Sequence, residues 1–315
     1  MRFAINVPNF GTYSDARVAA ELAREAEDAG WDGFFVWDHI LGAREWQVPI
    51  ADPWVLLAAV AMRTERIRIG PMVTPLPRRR PWKLARETVT LDHLSGGRLI
   101  LGVGLGFPPD AEFEQFGEES DARVRAGKLD EGLAVLVGLW SGEPFRFEGR
   151  HYQVAETVFL PRPVQQPRIP VWVGAVCPNR PPLRRAARWD GVFPIRMAGQ
   201  DEMPPPVTPA DVQNMLAFIE TERAAKSGDR AAAARNRPAS VAAHPTATTT
   251  GSAPAPPPVF DVVVGGETGA DPARDAEDLA AHAEAGTTWW AEHVNEWRGS
   301  LDDMRRHVRR GPPRV

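Results

Sequence analysis

A closed parallel (β/α)8 barrel is the fold this sequence predicts, and three observations carry the prediction. Segment 67–106 reads as one complete strand, helix, strand unit, and strand and helix patterns alternate about eight times along the chain, the number that closes a TIM-type barrel. The third observation is negative. Pro8-Asn9-Phe10-Gly11 after the first strand offers no Gly-x-Gly, which disfavours an open, doubly wound nucleotide-binding sheet.

Each element has a local reason. The first strand is expected at 3–8, and Ser14 is placed to cap the helix that follows, with Val18, Leu22 and Ala26 on one face and Glu21, Glu25 and Asp28 opposite. Gly30 closes it, and 33–38 reads as the second strand. Asp52-Pro53 opens a helix over 54–62 that is apolar nearly all round and therefore reads as well buried. In the central unit, the apolar run 67–73 ends at Thr74-Pro75. Pro81 stands where a helix begins, and Leu84, Leu91 and Leu94 face inward. Gly96-Gly97 ends that helix because left-handed backbone costs glycine little, and 99–103 is a second buried strand.

Helix 122–140 sets Leu129, Leu133, Leu136 and Trp140 in register. At 144–170 the rhythm breaks: FRFEG and HYQV flank a turn and read as an excursion after the fourth strand. Strand 171–175, a helix near 183–189, strand 191–195 and helix 211–225 restore it. Segment 227–258 is Ala, Thr, Pro and Gly with almost no large apolar residue, too little to offset ordering entropy, and reads as a disordered insertion before the seventh strand. Strand 259–265, a helix opened by Asp271-Pro272, strand 288–293 and a Ser300-capped helix complete a single domain over 1–315.

Composition bounds the function. Hydrophobic residues make up 43% of 315, ample for one large core. With 37 Lys and Arg against 41 Asp and Glu, the net charge of −4 gives no general attraction to nucleic acid or anionic lipid, and neither is expected as a partner. The run Arg78-Arg79-Arg80 is a local exception and reads as a solvated loop. Cys177 is the single cysteine, so no internal disulfide exists, as suits a reducing cytoplasm. No apolar run is long enough to span a membrane, and the chain reads as soluble and unprocessed.

Parallel barrels carry their chemistry at the C-terminal ends of the strands. Those ends hold Asn6 and Asn9, Trp37-Asp38-His39, Val73-Thr74, the glycines Gly102, Gly104 and Gly106, Gly174 to Asn179, Gly265-Gly266 and Glu292-His293. The three spaced glycines fail as a dinucleotide fingerprint, since its third glycine would fall at Phe107; they allow close backbone approach, for packing or for a flat ring. Gly265 and Gly266 precede a helix start that could cradle phosphate, although an ordinary turn accounts for the same residues. Cys177 is a lone thiol and is assigned no catalysis. The pairs Asp38-His39 and Glu292-His293 invite a metal, but neighbours along a strand point to opposite faces and no further cluster accompanies them, so no metal is expected. His39 suits proton transfer, because both its forms are accessible near neutral pH; satisfaction by Asp38 or backbone is the plainer alternative.

The Asp38-His39 strand end, the block GPMVTPLPRRRPWKLARETVTLDHLSGGRLILGVGLG, PVWVGA followed by LRRAARWDGVF, and the closing AGTTWW together resemble the bacterial luciferase-like flavin-dependent monooxygenase family. The resemblance covers nearly the whole chain apart from 227–258. It implies a TIM barrel with an excursion after strand four that binds reduced FMN or the 5-deazaflavin coenzyme F(420) in its mouth. It further implies that Asp38 and Thr74 contact the flavin ring, that Gly174, Ala175 and Cys177 lie at its phosphate, and that the Met72–Val73 peptide bond is cis. His39 matches a proton-handling histidine of some branches. Where many relatives read Gly-Gly-x-Ser, this chain reads Gly174-Ala175-Val176-Cys177-Pro178 and loses a hydroxyl donor.

The expected function is a monooxygenase that uses reduced FMN and molecular oxygen on a small organic substrate, supplied by a separate flavin reductase. Hydride transfer with deazaflavin is the alternative, and a non-catalytic flavin-binding barrel is a third reading. A rim of Trp37, Trp46 and Trp297 suits either enzyme, and a homodimer is allowed.

Overall fold

The fold described here is a computed structural model covering residues 1–42, 47–197, 205–235, 260–269 and 271–313. Eleven strands and nine α-helices are described among them, alternating for most of the length. They are β1 (Arg2–Val7), α1 (Ala16–Asp28), β2 (Gly33–Val36), α2 (Pro53–Arg63), β3 (Arg68–Pro71), β4 (Thr74–Pro75), α3 (Pro81–Leu94) and β5 (Leu101–Gly104). Then come α4 (Pro109–Glu112), α5 (Ala122–Trp140), β6 (Phe145–Glu148), β7 (Gln153–Thr157), β8 (Val171–Val176), α6 (Arg180–Ala186) and β9 (Gly191–Ile195). The last are α7 (Pro209–Arg235), β10 (Asp261–Gly266), α8 (Pro272–Glu284), β11 (Trp289–His293) and α9 (Leu301–Arg309).

Among the described residues nine strands form one sheet in the order β3-β2-β1-β11-β10-β9-β8-β5-β4, paired in parallel. β3 and β4 are two halves of one strand, interrupted at Met72–Val73, whose peptide bond is cis as the resemblance implies. Because β3 pairs with β2, β4 with β5, and Ile69 bridges to Leu99, the sheet meets its own first edge. The predicted (β/α)8 barrel is the observed fold. The excursion is there too, as the antiparallel hairpin of β6 and β7 between α5 and β8.

Strand alternation divides the core in two. Ala4, Phe35, Ile100, Trp172, Val263 and Trp289 pack inside the barrel. Phe35, Trp172 and Trp289 lie 5.2 to 6.1 Å apart by ring centroid, so the interior is filled rather than hollow. Both indole N–H groups donate to Asp261 at the barrel floor. The larger outer core lies between sheet and helices, where Leu129, Leu133, Leu136 and Trp140 of α5 are buried as their spacing predicts.

Helix starts follow the sequence closely. Asp52, Asp121 and Asp271 accept from the first free N–H groups of α2, α5 and α8, and Ser300 forms a reciprocal capping box with Asp303. Ser14 is a correction: Asp15 caps α1, while the Ser14 hydroxyl donates to the Gly11 carbonyl. Gly96 and Gly97 adopt φ of 64° and 83°, the left-handed turn expected after α3.

Three further expectations change. Leu94 is 42% exposed because it belongs to the last turn of α3, after its inward stripe has ended. Val55 and Met62 are exposed on α2, since a helix lying on a barrel buries only the side facing it. The segment 227–258 begins inside α7, which runs on to Arg235 through the alanine-rich 231–234, good helix-forming sequence; the remainder, 236–258, lies outside the described residues.

Arg98 joins α2 to the start of the β5 strand. It is buried and donates to the carbonyls of Ala61, Thr64, Ile67 and Ser95 and to the Thr64 hydroxyl. Arg98→Ala strands several of these acceptors away from water, so we expect a loss of about 2–3 kcal/mol, read as a lower urea midpoint at unchanged slope.

Candidate active site

The C-terminal ends of the barrel strands form a mouth with two unlike walls. Gly102, Gly104, Gly174 and Gly265 share the inward parity of Ile100, Trp172 and Val263, and neighbouring side chains take the room they leave, Val73 against the first three and His293 against Gly265. A Cβ on Gly104 would come within 2.7 Å of the Val73 side chain, and one on Gly102 within 2.3 Å of the Pro71 carbonyl. The opposite wall carries Asn6, whose Oδ1 is buried without a hydrogen-bond partner, and Trp37, which continues the inward parity of Phe35.

Beside this mouth a buried charge network fixes His39. Asp38, at 5% exposure, accepts from the Thr74 hydroxyl at 2.7 Å, from Arg78 at 2.9 Å and from Arg79 at 2.8 Å. Arg78 also pairs with Glu112, which is 1% exposed and accepts from the backbone N–H groups of Ile40, Leu41 and Gly42 at 3.1, 3.1 and 2.7 Å. His39 Nδ1 lies 3.3 Å from Glu112 Oε1, and Asn9 clamps the same turn by donating to the His39 carbonyl and accepting from its N–H. Burial pushes the imidazole down to about 4, Asp38 opposing and Arg78 reinforcing the shift.

Arg78 and Arg79 correct the solvated-loop reading. Their side chains are only 7% and 18% exposed, because two carboxylates draw them inward; Arg80 alone is exposed. Glu112 was not legible. Its one signal is a charge set between two residues that turn out to be fully buried, Ala111 and Phe113.

The other predicted residues fall in different places. Gly174 faces the mouth, but Ala175 turns into the outer core. Cys177 gives its N–H to the Ile195 carbonyl, and burial, with Asp211 adding, raises its thiol to about 11, which leaves it a protonated bystander. Gly265 lies under the His293 ring and Gly266 under Trp290. In the loop that follows, Thr268 N–H goes to Glu292, Gly269 N–H to Asp275, and the first N–H groups of α8 to Asp271, so internal carboxylates already fill that cradle. Burial works against the charge of Glu292, yet His307, Arg298, Thr268 and Trp290 together hold it below the usual carboxylate range. Trp46 lies outside the described residues. Among those residues no cluster could hold a metal, and no helix is long and apolar enough to cross a membrane.

Fold and site define a parallel-barrel protein whose mouth sets a partly exposed histidine against a buried carboxylate. The chain belongs to the luciferase-like monooxygenase family, whose model matches residues 1–309. It is 35% identical over 159 residues to the F420-dependent glucose-6-phosphate dehydrogenase of Microbacterium testaceum, a match covering 49% of this chain and 45% of that one. The matches to the first curated relatives span less than half of those proteins' lengths. Among solved structures, an F420-dependent secondary alcohol dehydrogenase in complex with an F420-acetone adduct superposes with TM-score 0.72 at 16% identity, covering 99% of this chain and 98% of that one. Monooxygenase RslO1 from Streptomyces bottropensis gives 0.67 at 20% identity, covering 98% and 97%. Such likenesses establish the barrel, and the family is one of oxidoreductases.

Proposed function

We propose that this protein is a deazaflavin-dependent oxidoreductase that oxidises a small alcohol, with His39 as the base. The contact between His39 and Glu112 carries the reading. A carboxylate that accepts from Arg78 and three backbone N–H groups is ionised and has no proton to give, so the imidazole proton sits on Nδ1 and the lone pair on Nε2. Burial pushes its pKa down to about 4, so the ring is neutral at pH 7 and can accept a proton at Nε2 but has none there to donate.

A bound deazaflavin supplies a two-electron acceptor for hydride. Gly102, Gly104 and Gly174 let the Val73 side chain seat against the backbone at the mouth, and the unpartnered Asn6 Oδ1 offers a ligand an acceptor. Asp38 acts indirectly, by holding Arg78, which in turn holds Glu112. The identity to an F420-dependent dehydrogenase supports the same choice. A monooxygenase using reduced FMN from a separate reductase is the second reading, favoured by the aromatic rim of Phe10, Trp37 and Trp297, which would keep water from a reactive centre.

Titration of the purified protein with each coenzyme separates them: the deazaflavin should bind and be reduced by alcohols without oxygen uptake. Tight FMN binding with substrate-dependent oxygen consumption would overturn the proposal. The pH profile is a second check. His39 keeps its basic form above about 4, so kcat/KM should stay level as pH falls from 7 to about 5, whereas an ordinary imidazole of pKa 6.5 would already have lost most of its base. The same depression weakens the fold in acid, since the unfolded chain takes up a proton from about 6.5 downward and the folded one only near 4.

A further inference from the structure

The buried acceptor in the mouth has a polar neighbour. β1 and β11 pair in parallel with Asn6 directly opposite His293. Asn6 stands two residues beyond Ala4 and His293 two beyond Ala291, both of which pack inside the barrel, so the two polar side chains share the next inward layer. Asn6 is 1% exposed and its Oδ1 has no hydrogen-bond partner, a state that costs the free protein stability. The His293 ring lies over Gly265, where a Cβ would come within 2.5 Å of Nε2, so the glycine makes the room in which the ring sits. Arg298 donates to the His293 carbonyl and holds its backbone. Burial pushes the His293 imidazole below the usual histidine value, Glu292 opposing and Arg298 reinforcing the shift, so at pH 7 the ring is neutral and carries one N–H and one lone pair.

We propose that Asn6 and His293 bind a second hydroxyl of the substrate, so that the alcohol oxidised is a diol or a larger polyol. The reacting hydroxyl has a single proton, which in the proposed reaction goes to His39 and cannot also be given to Asn6. The Asn6 acceptor therefore needs a different donor. A second hydroxyl answers both groups, because it donates its proton to Oδ1 while its oxygen accepts from the His293 N–H. A monoalcohol engaged at His39 leaves Oδ1 buried and unpaired, which is how a polar site rejects an analogue lacking the group it reads. The proposal deepens the alcohol-oxidation reading and rests on it for turnover only.

The test uses the full-length protein without coenzyme, titrated by saturation-transfer NMR with erythritol, a polyol, and with butan-1-ol, the monoalcohol of the same chain length. Erythritol should bind roughly tenfold more tightly, about the worth of one net hydrogen bond, because the monoalcohol can reach His39 or the pair but not both. Asn6→Leu and His293→Leu should each bring the two affinities to within about threefold. Leucine removes the unpaired acceptor at nearly the same volume, so Asn6→Leu should melt at or above the wild-type temperature, whereas an amide needed by the fold would make it melt lower. A deazaflavin titration of each variant reads the other occupant of the mouth. Equal affinities in the wild type, a polyol preference that survives both substitutions, a lower melting temperature for Asn6→Leu, or deazaflavin binding weakened more than erythritol binding would overturn the proposal. Because no turnover is read, a protein that prefers erythritol yet oxidises no alcohol defeats the functional reading alone. One that oxidises alcohols without preferring the polyol defeats only the second-hydroxyl site.

Discussion

His39→Ala should lower kcat by about 10²- to 10⁴-fold while coenzyme affinity stays nearly intact. The ring is held from both sides, its backbone by Asn9 and its Nδ1 by Glu112 at 3.3 Å, so the imidazole is oriented before substrate arrives. Its side chain is 24% exposed, which leaves room for a reacting group to reach it. In the proposed reaction, removing it deletes the proton acceptor and leaves the rest of the mouth in place. Single-turnover rates and a coenzyme titration on one preparation check both halves. An unchanged kcat at saturating coenzyme would take His39 out of the mechanism, and weakened coenzyme binding alone would make it a stacking residue.

Replacing Arg78 with alanine should cost about 3–5 kcal/mol of stability, because it leaves two buried carboxylates facing each other without their shared cation. Asp38 and Glu112 are both essentially inaccessible, and Arg79 reaches only the first of them. The expected readout is a large fall in melting temperature. Arg78→Lys should recover part of it, since an ammonium restores charge but not the fork that spans two carboxylates. Activity per folded molecule should fall as well, because Glu112 would no longer be fixed under His39. A stability change within experimental error would show that the network is dispensable.

The element order was readable because its signals are local. Aspartate before proline marks helix starts at Asp52 and Asp271, and apolar spacing alone places the buried face of α5. His39, Asp38 and the glycines of the mouth could be singled out because a parallel barrel puts its strand ends together, whatever the strands' sequences. Those local rules also explain the errors: they assign Ser14 the cap that Asp15 makes, and they treat three consecutive arginines as wet surface.

By itself the sequence determined the barrel, the family and the residues that stand at strand ends, since each follows from short-range pattern. Only the tertiary structure decided which of them meet. Glu112 comes from 73 residues away to reach His39, and Arg78 spans 40 residues to Asp38. No spacing rule encodes such pairs. Burial selects them, because a charge taken out of water must find its counter-charge wherever the fold has put one.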